Sequence, residues 1–115
     1  MRDLGEISKG KILLAIKSGA RFFSEIEELS GVSSGIIGKH LRELEKEGLI
    51  VVELDQKRRR PRYKLNEAKR DEIEEVIKNY LEYEKKEVKE KLKLLLKYTT
   101  LTEEERKVIE VFLKN

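Results

Sequence analysis

Two amphipathic helical patterns stand only three residues apart, separated by Gly31, Val32 and Ser33, and this gap constrains the chain more than any other feature. Upstream, in ARFFSEIEELSG, Ile26 and Leu29 share one face, and Ser24 followed by Glu27 has the spacing of a capping box. A short helix is predicted from about Glu25 to Ser30. Downstream, in SGVSSGIIGKHLRELEKEGL, Ile37, Leu41 and Leu44 occupy positions i, i+4 and i+7. Ser33 or Ser34 can cap this second helix, and Gly48 stands where a left-handed C-cap is wanted, so a helix over 34–47 is predicted. A glycine-containing turn this short forces a steep crossing angle, the arrangement of a helix-turn-helix.

The flanking segments extend the pattern. In SKGKILLAIKSG, the residues Ile12, Leu13 and Ile16 fall on one face, with Ser8 as a cap and Gly19 as a stop, which predicts a first helix. After Gly48, LIVVEL is β-branched and strand-like, and RYKL alternates Tyr63 and Leu65 against Arg62 and Lys64. Between them, six of the eight residues from Lys57 to Lys64 are cationic. A basic run alone is commonly a disordered tract. Joined to a strand on either side, it is predicted to be the tip and return arm of a β-hairpin, with Pro61 at the first position of an edge strand.

From Asn66, a good N-cap, the chain runs without Pro or Gly to about Lys97. Its apolar stripe, Ile73, Ile77, Leu81, Val88, Leu92 and Leu95, is too long for so small a body to cover, so a second chain is expected against it, with Tyr80 at its side. Thr102 and Glu105 form a further capping-box pattern before a short helix bearing Val108, Ile109 and Phe112, which complete the expected dimer interface. Acids dominate Asp71 to Glu84 and bases dominate Lys85 to Lys97, which favours antiparallel pairing of two copies modestly over other packings. Tyr80 and Tyr83 either line a ligand pocket or pack in the seam, the commoner use, and no effector is indicated.

Composition narrows the function classes. The absence of cysteine excludes disulfides, thiolate metal sites and thiol catalysis, and one histidine, His40, leaves little for imidazole chemistry. No acid/base pair or phosphate-cradling loop is evident; no enzyme, metal or cofactor is expected. With no long apolar run and no secretory signal, a cytoplasmic protein without membrane contact is expected. The 43% of charged residues, of both signs, suits a thermophile. Residues 1–66 carry 14 bases and 10 acids, a balance of +4, whereas 67–115 carry 12 and 13, a balance of −1. Polyanion binding therefore belongs to the first part.

The residues VSSGIIGKHLRELEKEGLIVVEL and RRRPRYKL, in this order of elements, resemble the winged helix-turn-helix domain of ArsR-like prokaryotic transcriptional regulators. The resemblance covers about Lys9 to Leu65. It implies a mostly α fold with a small β-hairpin (α+β), in which the helix over 34–47 enters the major groove and the wing, 56–62, touches the flanking backbone or minor groove. Two departures stand out: Glu27 where such motifs prefer a small residue, and Gly38 in place of a small hydroxyl residue. The cysteines of metal-sensing members are absent, so that activity is not implied.

With Ile37, Leu41 and Leu44 turned inward, Gly35, Lys39, Arg42 and Lys46 face outward, with Ile36 and Gly38 at the edges and Ser33 and Ser34 at the start. Lys39 and Arg42 can reach guanine edges or phosphates, and the glycines permit close approach. Lys57, Arg58, Arg59, Arg60 and Arg62 repel one another unless phosphate lies among them. The expectation is a sequence-specific regulator of double-stranded DNA, a repressor, built as a winged domain (1–66) and a helical dimerisation region (67–115) that forms a homodimer. Two rivals remain: an architectural chromatin protein of the same fold, and a winged-helix module binding an acidic protein.

Overall fold

The computed structural model describes residues 4–114. Its elements are α1 (Leu4–Lys17), α2 (Phe23–Ser30), α3 (Ser34–Lys46), β1 (Ile50–Asp55), β2 (Arg60–Leu65), a 3-10 turn (Glu67–Lys69), α4 (Arg70–Tyr98) and α5 (Glu103–Lys114). Helix α1 begins before Ser8, which is therefore interior rather than a cap. The reason is Ile7, only 4% exposed, which extends the apolar stripe by a turn. At the other end Gly19 takes φ +122°, and the Arg21 Nη1 donates to the carbonyls of Ile16 (2.7 Å) and Ala20 (2.9 Å).

Helix α2 also starts earlier than its sequence suggests. The Glu25 carboxylate accepts the backbone N–H groups of Phe22 (3.1 Å) and Arg21 (2.9 Å), so Ser24, expected to form a box with Glu27, lies inside the first turn. Burial of the Phe22 ring fixes this entry to the helix. Gly31 closes α2 in the left-handed region, φ +70°, and donates its N–H to the Glu27 carbonyl (3.0 Å). Ser33 holds the N-cap position of α3 and its carbonyl accepts from Ile36 and Ile37, but its hydroxyl makes no cap bond.

The two strands pair antiparallel, from Ile50 opposite Leu65 to Asp55 opposite Arg60. Pro61 is the second residue of β2, not the first; in a sheet of two strands each has an unpaired side, so a missing amide is tolerated there. The Tyr63 amide donates to the Arg21 carbonyl (2.7 Å), which docks the hairpin on the loop after α1. Asn66 closes it: its amide N–H donates to the Leu49 carbonyl, its side-chain nitrogen to the Gly48 carbonyl, and its side-chain oxygen accepts from Ala68.

One core joins these elements. Ile12, Leu13 and Ile16 meet Ile26 of α2, Ile37, Leu41 and Leu44 of α3, and Ile50 of β1, with Val52, Tyr63 and Leu65 packed at the edge. Ile73 and Ile77 belong to it too, at 1% and 3% exposure. They do not lie in a dimer seam as expected, because their own domain already covers them. Each such burial contributes roughly 1.5–3 kcal/mol. Where α4 crosses α1, a Cβ added to Gly10 would lie 2.5 Å from the Tyr80 Cβ and 3.0 Å from the Val76 carbonyl oxygen. Only glycine fits that approach.

The chain divides into two compact units, Met1–Leu81 and Glu82–Asn115, so the first half of α4 belongs with the winged domain. In the second unit Thr102 and Glu105 exchange the two bonds of a capping box, 3.0 Å and 3.2 Å, as the spacing predicts. None of its described residues is buried, and Val108 and Phe112 stand 71% and 42% exposed. Among the described residues no helix is long and apolar enough to cross a membrane.

Candidate nucleic-acid interface

Helix α3 turns Ile37, His40, Leu41 and Leu44 to the core, which leaves Ser34, Gly35, Ile36, Lys39, Arg42 and Lys46 exposed after an exposed Ser33. Gly38 is half-buried at the edge of this face. A Cβ there would stand 3.6 Å from the Arg42 Nη1 and 4.0 Å from the Phe23 ring. The Arg42 guanidinium and the partly exposed Phe23 thus border the glycine. Among the described residues Lys39, Arg42 and Lys46 form no ion pair.

Acids on the same helix could cancel this charge. Lys9 of α1 pairs with Glu43, at 2.9 Å, and with Glu47 just past the helix end, at 2.7 Å, while Glu45 is exposed. Its ammonium holds the Glu43 carboxyl below the ordinary carboxylate value. His40, 6% exposed, approaches Glu43 to 4.0 Å and packs beside the core.

The wing is built by a different device. Asp55 ends β1 and organises the turn Gln56–Arg59: its side chain accepts the Arg58 N–H and its carbonyl the Arg59 N–H, each at 2.7 Å. Arg59 takes φ +51° to complete the reversal. Arg58 and Arg60 then lie 4.5 Å and 4.4 Å from the centre of the Phe22 ring. Such cation–π contacts contribute about 0.5–1 kcal/mol each near a surface. The N–H bonds from Arg21 and Phe22, and then the charges of Arg58 and Arg60, hold the Glu25 carboxyl below its ordinary value. Phe22 and Glu25 therefore latch two wing cations to the body, while Lys57, Arg59 and Arg62 remain exposed without an ion pair among the described residues.

All the expected DNA-contacting residues thus lie on the exposed side of α3 or on the wing. Of the expected dimer residues, Ile73 and Ile77 are in the core, and Tyr80 is half-buried beside Gly10 with Lys11 5.9 Å from its ring. Leu81 and Val88 are exposed, Leu92, Leu95 and Ile109 are half-buried, and Val108 and Phe112 are exposed. Sequence reasoning missed Lys9, Phe22, Phe23, Glu25 and Asp55. The adjacent phenylalanines were the one available signal, and of the two only Phe22 is buried, whereas Phe23 is exposed beside Gly38.

A helix-turn-helix, a hairpin bearing exposed cations and a basic face on the second helix define a winged helix-turn-helix fold. Residues 8–52, from within α1 into β1, match the family model of the bacterial regulatory protein, arsR family. No curated protein sequence matches the chain. Three solved structures share its fold. Sso10a-2, a DNA-binding protein from Sulfolobus solfataricus, is 19% identical with a TM-score of 0.57, over 87% of this chain and 100% of that one. ZitR of Lactococcus lactis, in mutant form, is 23% identical with a TM-score of 0.59, over 93% and 69%. A MarR-family transcriptional regulator from Silicibacter pomeroyi is 17% identical with a TM-score of 0.53, over 94% and 67%.

Proposed function

We propose that the protein is a sequence-specific regulator of double-stranded DNA, a repressor without enzymatic activity, that acts in the cytoplasm as a homodimer. The observation that carries this reading is the set Lys39, Arg42 and Lys46, exposed and without an ion pair among the described residues, on a helix whose Glu43, together with Glu47 just past its end, is paired from behind by Lys9, while Glu45 stays exposed. In the major groove Lys39 and Arg42 serve as guanine readers, Gly35 and Gly38 let the backbone approach, and Ser33, Ser34 and Lys46 hold phosphates. Ile36, 47% exposed, supplies an apolar contact to a thymine methyl. The wing cations add backbone contacts and a steep salt dependence.

Dimerisation is supported by the second unit, in which no described residue is buried and Leu94, Val108 and Val111 are more than half exposed. Apolar surface of this kind is covered in a stable soluble protein. We assign the interface to residues 82–114, with Leu81 at its margin, and the two-fold symmetry of such a dimer requires an inverted-repeat site.

The alternative is an architectural protein with little sequence preference. One observation favours it: α3 holds no Asn or Gln for bidentate reading of adenine, so its base readers are few. Fluorescence anisotropy separates the two. A duplex selected from a random pool should bind at least about 1,000-fold more tightly than a scrambled one if the regulator reading holds. Arg42→Ala should then reduce discrimination by about 1–3 kcal/mol, while Lys57→Ala should lower affinity for both duplexes alike and reduce the salt slope by about 1. Equal binding to both duplexes identifies the architectural protein, and a monomer by sedimentation refutes the dimer.

A further inference from the structure

We propose that the cleft enclosed by the end of α1, the outer face of the hairpin and the start of α4 binds a small organic anion carrying two carboxylate or phosphate groups. The cleft measures about 620 Å³, within the range of small-molecule sites. Five cations line it, Lys17, Arg21, Arg62, Lys64 and Arg70, against two acids, Glu67 and Glu74.

Internal pairing consumes the acids and leaves two guanidiniums. Lys17 lies 2.7 Å from Glu74, and Arg70 lies 3.5 Å from Glu67. Arg62 stands opposite Glu53 in the strand register, but that carboxylate is bound by Lys64 at 2.7 Å. Arg21 is half-buried, and its Nη1 is fixed by the carbonyls of Ile16 and Ala20, so its remaining N–H groups are held in place before any ligand arrives. Neither guanidinium has a carboxylate partner among the described residues. A guanidinium presents a planar fork that fits one carboxylate or phosphate, and two forks call for a ligand with two such groups. Val51 and Leu65 also line the cleft and offer apolar contact to the ligand's carbon body. The wing tip is exposed and suited to duplex phosphates, whereas this site is concave. Because Arg62 is also a wing cation, an anion here would compete with DNA; that consequence rests on the DNA-binding reading, but the site itself is titrated without DNA.

The test is calorimetric titration of the full chain with citrate and with pyrophosphate, at constant ionic strength, with acetate as the single-carboxylate control. Saturable binding of one citrate or pyrophosphate per chain is expected, with acetate much weaker. A charged hydrogen-bond pair is worth about 1.5–3 kcal/mol, so Arg62→Met and Arg21→Met should each weaken binding about tenfold or more. Lys57→Met at the wing tip should change it less than about twofold, because that charge is outside the cleft and screened. If Arg21→Met unfolds by circular dichroism, Arg62→Met decides alone. The proposal is overturned if neither polyanion saturates, if acetate binds equally, or if the Lys57 variant loses as much as the Arg62 variant. It is also overturned if neither polyanion binds while both arginine variants flatten the salt dependence of duplex binding, which would make the cleft part of the DNA surface.

Discussion

Replacing Gly10 by alanine should destabilise the winged domain, even though alanine is the better helix former by about 1 kcal/mol. The added Cβ would stand 2.5 Å from the Tyr80 Cβ and 3.0 Å from the Val76 oxygen, where carbon contacts normally lie at about 3.5–4.0 Å. Neither neighbour can rotate away, since one is a main-chain carbonyl of α4 and the other is attached directly to its backbone. The helices must part by about 1 Å, the shortfall from normal contact. That movement loosens Ile73 and Ile77, which are 1% and 3% exposed against the core. Overpacking of this kind costs about 1–3 kcal/mol, and the rigid neighbours place it near the upper end. The net loss is about 2 kcal/mol, or roughly 8–16 °C in Tm for a domain of this size. Far-UV circular dichroism melts measure it, with Gly38→Ala as the comparison: there the same methyl meets only ordinary contacts at 3.6 Å and 4.0 Å, and Tm should rise. A Gly10→Ala protein that melts at or above the parent would refute the reasoning.

Three further outcomes follow from the site. Gly38→Ala, while stabilising the free protein, should weaken its hold on a selected duplex by crowding the α3 face; unchanged affinity in anisotropy would remove close approach as that glycine's role. Phe22→Leu should release Arg58 and Arg60, so that backbone amide order parameters at 57–60 fall and the DNA complex dissociates faster; a wing as ordered as before would refute the latch. Glu25 has a carboxyl held below its ordinary value of 4.5 by N–H groups of Arg21 and Phe22, so its stabilising effect is present above that value and lost as pH falls through the lower folded one. The gap in Tm between parent and Glu25→Gln should therefore narrow from pH about 6 towards pH about 3, and a constant gap across parallel melts would contradict it.

Much of this architecture was legible in the residues. The helix-turn-helix follows from a three-residue gap between two periodic patterns, the wing from β-branched residues on one side of the cations and Tyr63 and Leu65 on the other, and the last cap from Thr102 and Glu105. The start of α2 was not legible, because Phe22 to Glu25 and Ser24 to Glu27 have the same spacing. What selects between them is tertiary: the buried Phe22 ring under two arginines. The fate of Ile73 and Ile77 was hidden for a related reason. A stripe of constant period runs through Leu81 and beyond, and period says that a face will be covered but not by whom. The basic face of α3 was read correctly in outline, but its electrical condition depends on Lys9, thirty-four residues before Glu43 and on another helix.

Asn66 imposes a demand on the genetic alphabet that its place between hairpin and helix does not suggest. Its side chain gives a hydrogen to the Gly48 carbonyl at 2.7 Å and takes one from the Ala68 amide at 3.1 Å. Aspartate would satisfy Ala68 but set a second oxygen against Gly48; serine has one polar atom where two, set apart, are needed; glutamine has both, one methylene too far out. A position that looks like an ordinary N-cap, where four residue types are normally interchangeable, admits a single letter, and the two bonds it supplies tie the base of the wing to the first turn leading into α4.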